Sequence, residues 1–137
     1  MRYCSFYKKQ FSKLKIGPIL PIHGISSQVL SVKTKSIYDY VPLAMRQYYE
    51  LLGNHDVNTN FNRLYEPDKL MISNGFLVFA EENQNVVVWG IKTDKPLNED
   101  PEVFQGQPLA DEKYEWHSEE KTFSRFIIDY LQHQFLE

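Results

Sequence analysis

The chain has 137 residues, one domain by length and enough to bury a core without disulfides or a metal. At 42% hydrophobic, 15% aromatic and 24% charged its composition is globular, and its one cysteine, Cys4, excludes a disulfide framework and any cysteine-cluster metal site. The net charge of −3 conceals a split, with eight Lys/Arg against one acid (+7) in residues 1–46 and seven against seventeen (−10) in residues 47–137.

Tyr3, Phe6, Tyr7, Phe11 and Leu14 recur at helical spacing and predict an amphipathic helix stopped by Gly17-Pro18. Lys8, Lys9, Lys13 and Lys15 interleave them as its solvated face. A pI near 5.8 argues against nucleic acid as their partner. No continuous apolar stretch follows these charges, so no secretory signal is read. The longest apolar runs, 76–80 and 86–89, fall far short of a membrane span. The expectation is a cytoplasmic protein with no membrane contact.

Residues 17–39 hold Pro18, Pro21, Gly24 and the Ser26-Ser27 pair and are expected to be irregular, with a short extended piece at 28–32. Pro42 fits the first turn of a second helix. Met45, Tyr48, Tyr49 and Leu52 form its apolar stripe, and Gly53 suits a left-handed exit. The period then changes. The runs 76–80 and 86–89, separated by Asn83-Gln84-Asn85, predict an antiparallel hairpin. Both strands are apolar on both faces, so helices must cover one side and a loop or a partner the other. Val103-Phe104 and residues 114–116 read as short flanking strands. A final helix carries Phe123, Phe126, Ile127, Tyr130, Leu131 and Phe135 on one stripe, with Ser118 as N-cap and Glu119 and Glu120 at its positive end. The order helix, helix, sheet, helix is α+β.

Little catalytic chemistry is legible. No phosphate-binding glycine loop occurs and no nucleophile elbow surrounds a serine. Cys4 lies in a basic helix without a local nucleophile signature. His55-Asp56 could act as an acid/base pair, but Asn54, His55 and Asp56 are ordinary turn formers after a helix. His23, His117 and His133 have no metal-ligand spacing. Glu81 and Glu82 point to opposite faces of a strand and cannot act together. No catalytic residue, metal site or cofactor is expected. The densest acids are Asp94, Glu99, Asp100, Glu102, Asp111, Glu112, Glu115, Glu119 and Glu120. They form either a soluble surface or a face that repels nucleic acid and attracts a basic protein.

Assembled, the chain resembles the SUKH superfamily, which includes the fungal cell-wall regulators of Smi/Knr type and many small bacterial proteins. The resemblance rests on VPLAMRQYYELLGN at 41–54, LYEPD at 64–68, GFLVFAEENQNVVVWG at 75–90, residues 100–103, the Trp116 strand and the final helix. It covers about residues 40–137 of a single domain spanning 1–137. It implies a central, mostly antiparallel sheet flanked by helices and a protein that is not an enzyme. Many bacterial members are similar to immunity proteins, which bind and neutralise a toxin. Glu82, Asn83, Gln84, Trp89 and Gly90 match the family motif; structurally they would be an amide-rich hairpin turn, a packed indole and a glycine allowing a bulge.

Resemblance and acidic bias together point to a stoichiometric inhibitor of a basic toxin domain, with Glu99, Asp100, Glu102, Glu112 and Glu115 as its electrostatic contacts. The alternative is a regulatory or scaffold module of the cell-wall-regulator type that binds several cellular proteins. A homodimer is compatible with either.

Overall fold

A computed structural model describes residues 2–134 as four α-helices and a six-stranded antiparallel sheet, an α+β fold. The helices are α1 (Arg2–Lys13), α2 (Ser27–Thr34), α3 (Leu43–Leu52) and α4 (Phe123–His133). The strands are β1 (Arg63–Leu64), β2 (Met71–Ser73), β3 (Phe76–Glu81), β4 (Val88–Lys92), β5 (Glu102–Pro108) and β6 (Tyr114–Thr122). They lie in the order β1-β3-β4-β5-β6, with β2 pairing β3 beside β1. Phe135, the last position of the predicted stripe, is outside the described residues.

One face of the sheet carries the core. At Phe79 the register of β3 against β4 slips by one residue, a bulge that puts both Phe79 and Ala80 on the helix side. Phe79 there meets Phe123 and Phe126 of α4, and Trp89 of β4 meets Phe126 with ring centroids 5.6 Å apart. Behind this layer lies α3, whose Ala44, Met45, Tyr48, Tyr49 and Leu52 are all buried. Its tyrosine hydroxyls need partners in a dry interior and have them: Tyr48 donates to Asn58 Oδ1 at 2.6 Å and Tyr49 to the Tyr65 carbonyl at 2.6 Å. Tyr7 of α1 donates to the Ala44 carbonyl at 2.7 Å, which ties α1 to α3. Burial pushes all three phenols upward, so they remain neutral donors.

Several expectations are corrected. Residues 27–34, read as partly extended, form α2: Ser26 accepts the Val29 N–H at 3.2 Å, and Leu30 and Thr34 turn inward one turn apart. Pro42 is the N-cap of α3 rather than a residue of its first turn. Gly53 is not a left-handed exit but has helical angles. It is glycine because an added Cβ would stand 2.5 Å from Ile25 Cδ1 and 2.6 Å from the Tyr49 carbonyl oxygen. The flanking strands are longer than predicted, and Ser118 does not cap the last helix. It lies within β6, opposite Phe104, and its hydroxyl donates to Glu102. The strand runs on through Glu120, which takes a positive φ of 59°, to Thr122, where α4 begins.

Candidate functional site

The sheet face away from the helices carries an aromatic layer from the sheet's own strands. Trp89, Ile91 and Val103 point into the core, so alternation sends Phe76 and Val78 of β3, Val88, Gly90 and Lys92 of β4, and Phe104 and Gly106 of β5 to the open face. Tyr114 and Trp116 of β6 join them. Trp116 lies flat over the two glycines: a Cβ at Gly90 would be 3.2 Å from its ring, and one at Gly106 only 2.7 Å. Phe76 stacks on the indole with centroids 4.1 Å apart and planes 14° from parallel. Phe104 meets Phe76 edge-on at 5.4 Å, and the Lys92 ammonium sits 5.1 Å from the Phe104 ring centroid. The Trp116 Nε1 is buried and has no hydrogen-bond partner among the described residues.

At the rim of this aromatic layer, β2 and the tip of the β5–β6 hairpin enclose a cleft of about 450 Å³. Its walls include Met71 (48% exposed), Ile72 (40%) and Leu109 (52%), with Glu112 and Lys113 at the edge. Exposed aliphatic side chains around a concavity mark a contact surface more than single exposed residues do. Asp111 and Glu112 both take positive φ in the turn at this tip.

The proposed electrostatic residues fall into separate places. Glu112 lines the cleft, while Glu115 projects from the other face of β6, 3.1 Å from His117 Nε2. Glu99, Asp100 and Glu102 lie at the far end of β5, about 20 Å away at ~3.3 Å per strand residue. Glu99 pairs with Arg2 at 3.1 Å, and its carbonyl accepts the Ala44 N–H at the start of α3. Both carboxylate oxygens of Asp100 are used by α4: Oδ1 accepts the Ser124 N–H at 2.8 Å and Oδ2 the Ser124 hydroxyl at 2.6 Å. Glu102 accepts from Ser118.

The motif residues have local structural roles. The Glu82 N–H donates to the Val87 carbonyl and its carbonyl accepts from Asn85, closing a loop of residues 82–87. Glu82 Oε1 is buried without a hydrogen-bond partner among the described residues. The Asn83 N–H donates to Asn62 Oδ1, the Asn62 N–H to Gln134 Oε1, and Gln134 Nε2 to the Val57 carbonyl at 2.6 Å. Gln84 is exposed at the tip. Trp89 is in the core, its Nε1 donating to Glu119 Oε2 at 2.8 Å. Gly90 lies opposite the β3 bulge, pairing with Val78 at its start, and it makes room for Trp116.

The other candidates are placed away from this face. Cys4 is buried, its thiol 3.6 Å from the Gln47 carbonyl and pushed up in pKa by burial, the reverse of an activated nucleophile. His55 caps the 3-10 turn Asp56–Thr59 by accepting the Val57 N–H at Nδ1. Among the described residues no three His, Cys, Asp or Glu side chains converge on a metal position. No described helix is long and apolar enough to cross a membrane. The open-face cluster was not read from the sequence as a site. Its signal was there: glycines at 90 and 106 in strands that otherwise carry bulky residues. No family model, curated protein or solved structure matches the chain.

Proposed function

We propose that this chain is a non-catalytic protein-binding domain that docks a basic protein against the cleft between β2 and the β5–β6 hairpin. In line with the resemblance to SUKH domains, its role would be that of an immunity protein neutralising a cognate bacterial toxin. The observation that carries the reading is the set of exposed Met71, Ile72 and Leu109 around one concavity, with Glu112 and Lys113 at its edge and Asp111 next to Glu112 in the same turn. An apolar anchor in the cleft would supply residence time, and the acids would speed encounter with a basic partner. Of Glu99, Asp100, Glu102, Glu112 and Glu115, only Glu112 lines that cleft; the Glu99 carboxylate pairs with Arg2 and that of Asp100 holds α4.

The test is capture from the native lysate over a salt series, with wild type beside Leu109→Asp and Glu112→Lys. One near-stoichiometric basic partner, weakened by salt and lost with either variant, supports the reading. The same partner bound equally by both variants overturns the site.

A second reading, a scaffold bridging several proteins, draws on a different surface. Ile22 and Val32, 75% and 63% exposed, belong to the basic first third of the chain. A bridging module would hold a second set of partners there, and these would survive the Leu109 and Glu112 variants.

A further inference from the structure

His23 and His55 meet ring to ring where the segment after α1 reaches the end of α3, with centroids 4.3 Å apart and planes inclined by 46°. Phe11 of α1 closes one side, edge-on to His55 at 5.4 Å. Each imidazole accepts a backbone hydrogen bond at Nδ1: Leu20 N–H donates to His23 at 2.9 Å, and Val57 N–H to His55 at 3.0 Å. A nitrogen that accepts carries its lone pair, so each neutral ring holds its proton on Nε2. A second proton on either ring goes to Nδ1, where it displaces the backbone donor. Protonating both rings would also set two like charges in contact.

Residues 17–24 form a strap that meets the end of α3 through this ring contact and through Asn54. Leu20 is tied to His23, the His23 carbonyl accepts the Asn54 N–H at 2.8 Å, and the Gly24 carbonyl accepts from Asn54 Nδ2 at 3.1 Å. The strap walls a cleft of about 440 Å³ against Phe11 and Leu51. The charged and titratable groups around the pair are few. Asp56 adjoins His55 and favours its protonation; Lys8 of α1 and Glu50 of α3 line the strap's cleft; Tyr65 and Glu66 line a smaller one on the other side of His55. Burial and the neighbouring His23 outweigh Asp56 and hold His55 below its ordinary value.

We propose that the His23–His55 pair is a pH-sensitive latch: neutral, it fastens the strap of residues 17–24 to the end of α3, and on protonation it releases the strap while the sheet and α4 stay folded. Release would uncover Phe11 and Leu51 and free the exposed Leu20 and Ile22 to move.

Amide hydrogen exchange at pH 7.5 and 5.5, corrected for intrinsic rates, tests this in the full chain. The expected result is a loss of protection at Leu20 of roughly tenfold or more at the lower pH, with β3 and β4 unchanged. Asparagine at both positions offers an acceptor near Nδ1 but cannot titrate. In His23→Asn/His55→Asn the Leu20 protection should therefore change less than about twofold. Protection that is independent of pH in the wild type, or a loss that persists in the double variant, overturns the proposal. Imidazole ¹⁵N shifts of the wild type decide it without any variant: both rings must be Nε2–H at pH 7.5, and an Nδ1–H ring on either overturns it.

Discussion

The Cζ3 atom of Trp116 stands 2.7 Å from the point a Cβ would occupy on Gly106, so the indole and the glycine form a single fitted unit on the open face of the sheet. Without that glycine the ring could not lie flat, and Phe76 would have no plane to stack on at 4.1 Å. The open face is thereby covered by side chains of the sheet itself, while the exposed aliphatics stand at its edge.

Gly106→Ala should therefore destabilise the fold through crowding. The added methyl also falls 3.0 Å from Val88 Cγ2, so neither neighbour leaves it space. The expected cost is about 1–3 kcal/mol, as for other overpacked sites. Urea unfolding should show a lower midpoint at an unchanged slope, with altered indole fluorescence in the native baseline. A midpoint equal to wild type would show that Trp116 shifts without cost.

Asp100→Ala should weaken the start of α4. The carboxylate serves as a cap supplied from outside the helix, satisfying the Ser124 N–H that no residue of α4 can reach. Its loss should cost about 1 kcal/mol, within the usual range for capping side chains. Partner affinity and its salt dependence should be unchanged, because this acid lies at the far end of β5 from the cleft. A variant of native stability but weaker, less salt-sensitive binding would return Asp100 to the docking surface.

These two residues also mark what was legible in the sequence. The α1, α3 and α4 stripes and the central hairpin could be read because each rests on a local period of apolar residues. The α2 helix could not, since it has two inward residues, Leu30 and Thr34, and outward valines at 29 and 32 that mask the stripe. The start of α4 was misplaced because its cap comes from Asp100, 24 residues earlier, while Ser118 offers a plausible local cap that β6 consumes. The candidate cleft has no sequence signature, because it is made where β2 meets a hairpin tip some 37 residues further along the chain. The acids looked like one field in sequence, but strand geometry divides them between two ends of the sheet.

Cys4 should be slow to react. Burial raises its thiol, the Glu50 charge adds to this, and Lys8 offsets it only in part. Labelling by a disulfide reagent at pH 8 should run roughly tenfold or more slower in the native protein than in urea. Equal rates would mean that α1 opens freely from α3 at its first turn.

Global stability should fall between pH 7.5 and 5.5 through His55. Its pKa in the folded chain lies below the ordinary 6.5, chiefly because burial disfavours the charged ring and secondly because His23 adjoins it. As pH drops below about 6.5 the unfolded chain takes up a proton more readily than the native ring does, so this contribution is complete above that pH and is lost on acidification through the lower folded value. Glu50 works in the opposite sense, because burial raises its carboxyl above the ordinary 4.5; the native state keeps a proton that the unfolded chain releases, and that contribution fades as pH rises. Comparing wild type with His55→Asn separates the two, since Glu50 is common to both. The wild-type urea midpoint should drop over this range by more than that of the variant. Equal drops would assign the acid sensitivity to other groups and leave His55 with the same proton affinity folded and unfolded.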